Sequence, residues 1–168
     1  MLKVLVKAIP VSADDFNELT AEMPNTPEDA AARMVLALTL YSADQSAGEI
    51  ALTMVVHPGQ LAPGSGESKL SKRSLDLIKN QIGGKPHHMH SYFTGTSPEQ
   101  GYQLPEPPYS LEFTTNPHSG RAEDGRIKLF IKSSGADSPR PITVQTDSSG
   151  TWKAAEWSSL LSGIRKGV

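Results

Sequence analysis

Arg140 stands between Pro139 and Pro141, a few residues beyond a Ser133-Ser134-Gly135 turn that Lys132 introduces. These are residue types that hold anions. Successive backbone N–H groups of a Ser-Ser-Gly turn can converge on a negative charge, and a guanidinium presents paired donors in a fixed plane. The flanking prolines keep the backbone around Arg140 extended and limit where its side chain can go. A conformational use competes. Asp137 can make an Asx-turn with Ser138 or Pro139 following, and Arg140 can pair with Asp137 or with Glu156 of a neighbouring strand. Turn chemistry alone accounts for the residue types here, and the anion site is the sharper use. In that use Arg140 contacts the ligand, Ser133, Ser134 and Gly135 form the turn, and Lys132 draws the anion in. Trp157 or Tyr92 then offers a flat ring to a base.

The histidines are the second candidate. The run KPHHMHSYF reads with strand periodicity, so that His88, His90 and Tyr92 share one face and His87, Met89 and Phe93 the other. Two imidazoles at i and i+2 can hold one metal, with His57 or His118 as a third ligand. No HExxH motif or nearby carboxylate cluster accompanies them, which favours a half-exposed strand of unemployed imidazoles. His57, just before Pro58-Gly59, reads as a cation at a helix C-terminus. No G-x-S-x-G elbow strains a serine into reactivity. The chain has no cysteine, hence no thiol nucleophile, thiolate zinc site or disulfide. Aspartates and glutamates fall mostly at helix starts and in loops, where capping explains them. The residues therefore name no catalytic group, no metal ligands and no cofactor.

The elements that must position these residues are legible in part. Leu2, Val4 and Val6 share one face of a short strand. Ser12 caps a helix carrying Phe16 and Leu19, and Thr26 caps another, with Pro27 at its first position and Glu28 and Asp29 at its positive end. Ala31, Met34, Val35, Leu38 and Tyr41 then follow helical spacing, which predicts a buried helix over 27–42. Ile50, Ala51, Met54 and Val55 predict a third helix, ended by Pro58-Gly59. LAPGSGES reads as a flexible loop. Ser71 caps a fourth helix, with Leu75, Ile78 and Ile82 on one face and Gly83 as its stop. Beyond residue 84 proline and glycine become frequent and the apolar runs shorten. HHMHSYFTG, YSLEFTT, RIKLFIK, RPITVQT and TWKAAEW alternate as strands do, and TDSSGTW is a hairpin connection. The expectation is one α+β domain over residues 1–168, with N-terminal helices packed on one face of an antiparallel β-meander from 87 to 157. The tail SSLLSGIRK folds back on that sheet.

The 168 residues suffice for one domain with a core of its own, with 37% apolar and 20% charged residues. A formal charge of -2 argues against general nucleic-acid binding, which needs a basic footprint. The opening MLKVLVKAIP is interrupted by Lys3 and Lys7, unlike a secretory signal, and no stretch approaches a membrane span. The expected setting is soluble and cytoplasmic. Trp152 and Trp157 fall on opposite strand faces, one packing on the helices and the other left for an outer face, a ligand or a partner subunit. With Tyr102, Tyr109 and the PEPPYS segment, that points to a homo-oligomer.

The segments SYFTGTSPEQGY, PEPPYSLEF, KLFIKSSGADSPRPITV and WKAAEWSSLLSGIRK resemble a family of uncharacterised bacterial proteins, a domain of unknown function, over residues 27–166. The resemblance implies a bacterial or phage-borne cytoplasmic protein and supplies no mechanism. The histidine run departs from the family pattern, in which aromatic or apolar residues are more usual there. The leading functional expectation is a non-enzymatic binding module for a small anionic ligand or a protein partner. The alternatives are a small enzyme with a histidine-containing pocket and a structural, oligomer-forming protein.

Overall fold

A computed structural model describes residues 2–62 and 69–168. Its organising element is α2 (Pro27–Ala43), capped by the Thr26 side chain on the Asp29 N–H and buried from Ala30 to Ser42 except at Arg33. A helix buried all round must be enclosed by other elements. The sheet lies against it on one side, and α1 (Ala13–Ala21), α3 (Gln45–Val55), α4 (Lys72–Ile82) and α5 (Pro86–His90) pack around it. Its two buried hydroxyls are satisfied within the helix: Thr39 donates to the Val35 carbonyl and Ser42 to that of Thr39. The expected caps of α1 and α4 are in place, with Ser12 accepting from the Asp15 N–H and Ser71 from that of Ser74.

The main sheet is antiparallel, in the order β1 (Leu2–Val6), β4 (Tyr109–Thr114), β6 (Arg126–Ile131), β7 (Arg140–Thr146) and β8 (Trp152–Glu156). A short β5 (Gly120–Arg121) also pairs with β6. Helices against an antiparallel sheet make the fold α+β, as the sequence predicts. The N-terminal strand closes one edge of the sheet beside β4, burying Val4 and Val6 but leaving Leu2 exposed. Elsewhere β2 (Leu61–Ala62) pairs with β3 (Lys69–Leu70). Of the expected LAPGSGES loop, residues 63–68 lie outside the described residues.

The stretch 86–93 corrects the predicted strand. It begins as the short helix α5 and ends in a turn. Pro86 fits the first helical position, and Met89, Tyr92 and Phe93, spaced i, i+3 and i+4, are all buried. Helical spacing was present, and the alternating polar histidines disguised it. The meander therefore starts at Tyr109 rather than at residue 87. The tryptophans are corrected too. Both Trp152 and Trp157 are buried, so neither ring faces outward.

Candidate functional site

The residues that suggested an anion-binding turn are engaged with the rest of the chain. The Ser134 N–H donates to the Ser91 carbonyl at 2.9 Å, and the Gly135 N–H to the Ser133 hydroxyl at 3.2 Å. Ser133 Oγ donates to Ser91 Oγ at 2.9 Å, and Ser134 Oγ lies 2.9 Å from Thr96 Oγ1. The Lys132 ammonium stands 3.7 Å from the buried Glu112 carboxylate, which Lys3 also approaches. Tyr92 is buried, and its hydroxyl donates to the Leu160 carbonyl at 2.7 Å. Burial pushes that phenol's pKa up, which keeps it a donor. Trp157 is buried as well, so neither ring is free to stack on a base. The SYFTGTSP and KSSGADSPRP segments thus form one joint, held by Ser91, Thr96, Ser133 and Ser134.

Arg140 serves the same joint. Its Nη2 donates to the Gly163 carbonyl at 2.9 Å, while its buried Nε has no hydrogen-bond partner among the described residues. It pairs with neither Asp137 nor Glu156. Those carboxylates go to Arg165, at 2.6 Å, and to Arg126, at 3.0 Å. Gly163 has φ +78°, and a Cβ there would fall 2.1 Å from Arg140 Nη2, so only glycine allows this approach.

Further bonds fix the C-terminal segment 162–168 against the body. The Arg165 N–H donates to the Gly135 carbonyl at 2.9 Å, and the Val168 N–H to that of Pro98 at 2.9 Å. The Tyr102 hydroxyl donates to the Arg165 carbonyl.

The docked tail forms one wall of a cleft of about 540 Å3. Gln81 of α4, with Lys85, His87 and His88 around α5, faces Ser162, Gly163, Ile164, Lys166 and Gly167 across it. No acidic side chain lines the cleft. Lys3, Lys7, Lys72 and Lys132 each lie within 4 Å of a carboxylate, whereas Lys85 and Lys166 have no such partner among the described residues. Arg140 adds positive charge behind the Gly163 wall. His87 is half-buried and stacks on Tyr102, with ring centroids 6.2 Å apart at 25°.

His88 is the deepest of these groups. It is buried, and its Nε2 lies 3.0 Å from the Leu160 carbonyl. A carbonyl only accepts, so Nε2 carries the hydrogen. Burial holds the His88 pKa below its ordinary value; the Leu160 bond opposes that, and His87, Lys85 and Arg140 add to it. His90 is lowered as well, mainly by burial and then by His87. An imidazole whose folded pKa lies below its unfolded value contributes stability present above that unfolded value, about 6.5, and lost as pH falls from there through the folded one. The melting temperature at constant chloride is therefore expected to fall between pH 7.5 and pH 5.5. The slope should flatten in a His88→Gln, His90→Gln double variant. An equal slope in both proteins would show that these rings are not the cause.

The other histidines do not join this group. His57 Nδ1 accepts the Gly59 N–H at 3.0 Å and its Nε2 donates to the Thr146 carbonyl at 3.1 Å, so it ties a helix end to the sheet. That replaces the expected helix-end cation. His118 is exposed in the loop between β4 and β5. Among the described residues no cluster of three or more His, Asp or Glu could hold a metal. A second cavity of about 570 Å3, between α3 and α4, is mainly apolar, with Glu49 and Lys69 of opposite charge at its wall. No described helix is long and apolar enough to cross a membrane.

Fold and site together define a class: an α+β domain whose tail and α5 enclose a basic cleft. The sequence profile of a family described as a domain of unknown function, DUF6935, matches residues 8–167, and the chain belongs to that family. No curated protein and no solved structure matches the chain.

Nothing in the sequence announced the cleft. Lys166 is remote in sequence from Lys85, His87 and His88, and only the tail's return along the Gly135 and Pro98 carbonyls brings them together. The available signal was the stretch KNQIGGKPHHMH, residues 79–90, which carries Lys79, Lys85 and three histidines and no acidic residue.

Proposed function

We propose that this protein is a binding module for a small anionic ligand, held in the cleft between α5 and the C-terminal tail. One observation carries the reading. In a chain of formal charge -2, two lysines and two histidines line one cleft that no acidic side chain enters. Its volume falls within the roughly 300–1,000 Å3 usual for small-molecule sites. The lysines supply compact charges with rotatable donors, and the low-dielectric wall behind them strengthens their field. The Ser-Ser-Gly turn contributes indirectly, by holding the Gly135 carbonyl against the tail that presents Lys166. A bacterial or phage origin and a cytoplasmic setting, which the motif resemblance implies, accompany this reading.

Titration with inorganic phosphate, followed by calorimetry or amide chemical shifts, tests it. Binding is expected to weaken at least tenfold in a Lys85→Gln, Lys166→Gln double variant. A hydrogen bond to a charged group is worth about 1.5–3 kcal/mol, and about 1.4 kcal/mol is tenfold. Raising chloride should also weaken binding, since these lysines are open to solvent. Unchanged phosphate affinity in the folded double variant would remove the cleft from consideration.

A further inference from the structure

Every hydrogen-bonding position of His88 is spent except one. Its main-chain N–H donates to the Lys85 carbonyl at 3.1 Å and its ring Nε2–H to the Leu160 carbonyl at 3.0 Å. Nδ1 has no partner among the described residues, although the residue is only 7% exposed and lines the cleft. A polar side chain buried to this degree ordinarily has its groups satisfied, and an open position beside a cleft points to a ligand. In the neutral ring Nδ1 is an acceptor and would repel an oxyanion. In the protonated ring it becomes a second donor, on a residue that lines the cleft together with Lys85 and Lys166.

We propose that this cleft binds doubly charged oxyanions of the phosphate or sulfate type with uptake of a proton on His88. The inference rests on the anion-binding reading above and adds how that binding is regulated.

The charges around the ring set the direction. His87 and Lys85 face it from its own segment, Arg140 from β7 and Lys166 from the tail, and Tyr92 shares its Leu160 acceptor. None of these side chains is acidic; Val168, whose main-chain oxygen lies beside Gly101, also lines the cleft. In the empty cleft they and burial keep the proton off. A dianion among the same groups supplies the missing opposite charge, which favours the imidazolium. Linkage is reciprocal: if the anion strengthens proton binding at His88, the proton strengthens anion binding by the same factor. The tail offers further donors, because the N–H groups of Gly163, Ile164, Lys166 and Gly167 have no partner among the described residues.

Sulfate is the discriminating probe, since it remains a dianion between pH 5.5 and 8 and any proton taken up belongs to the protein. Calorimetric titrations in two buffers of different ionisation heat, at fixed ionic strength, report the number of protons taken up. Proton uptake is expected near neutrality, with affinity rising as pH falls from 8 to 6. The rise is on the order of tenfold for each unit by which the anion lifts the imidazole. His88→Gln retains an N–H for the Leu160 carbonyl and should bind sulfate with little pH dependence and no uptake, while His118→Gln, outside the cleft, keeps both. NMR titration of the His88 ring in the unaltered protein gives an independent reading: sulfate should move its midpoint upward. Sulfate binding without proton uptake, uptake that survives in His88→Gln, or an unmoved midpoint would each overturn this inference and leave the anion reading standing. Failure of both sulfate and phosphate to bind would overturn the two together.

Discussion

Alanine at position 48 is expected to destabilise the protein by about 2 kcal/mol or more, although it replaces glycine inside a helix. On propensity alone the change should stabilise α3 by about 1 kcal/mol. The tertiary contact reverses the sign. Gly48 lies where α3 turns back on the end of α2, and a Cβ there would meet Tyr41 Cα at 2.2 Å and Tyr41 N at 2.6 Å. That is backbone against side chain, with no flexible terminus to swing aside. Tyr41 is itself buried, in a helix enclosed on every side. Overpacking costs about 1–3 kcal/mol and occasionally more, and a clash with main chain belongs at the upper end. With roughly 2–4 °C of melting temperature per kcal/mol for a domain of this size, the midpoint should fall by about 4–8 °C. A midpoint that rose would show that the corner between α2 and α3 opens freely and that propensity decides.

The same corner shows where sequence reading stops. Thr26, Pro27, Ser12 and Ser71 were legible because a cap and its helix are local, decided by residues three or four apart. The strands β4, β6, β7 and β8 were legible because their alternation survives in the sequence. The pairing of β1 with β4 was not, since it joins residues more than a hundred positions apart. The helix α5 is hidden because His88 and His90 alternate with Met89 over the same stretch that carries Met89, Tyr92 and Phe93 at helical spacing. Burial of that helical triplet outweighs the alternation, and burial is a tertiary fact. The candidate site divides in the same way. Ser133, Ser134 and Arg140 stand out as a group in the sequence, yet the two serines bond to Ser91 and Thr96 and the guanidinium to the Gly163 carbonyl. The open donors belong to Lys85 and Lys166, which no local pattern relates.

Arg140→Ala should free the tail while leaving most of the domain folded. The guanidinium holds the segment 162–168 through the Gly163 carbonyl, and nearby Arg165 N–H and Val168 N–H bonds close on Gly135 and Pro98. Loss of a hydrogen bond from a charged donor costs about 1.5–3 kcal/mol, so amide exchange at Arg165 is expected to accelerate about tenfold to a hundredfold. The global effect should be smaller, because the carbonyl released on the exposed tail can turn to water and the orphaned, buried Nε disappears with the side chain. Phosphate affinity should fall too, since the loosened tail no longer holds Lys166 opposite Lys85 and one positive charge is gone. Gly163→Ala attacks the same contact from the other side. It places a side chain at φ +78° and a Cβ against Nη2, so it should give the same local loosening. If the two residues act through one contact, the double variant exchanges hardly faster than either single one, as coupled neighbours in a mutant cycle do. Additive acceleration would mean that Arg140 and Gly163 hold the tail separately. Protected exchange in Arg140→Ala would mean that the Gly135 and Pro98 carbonyls suffice, and the guanidinium would then matter to the cleft through its charge alone.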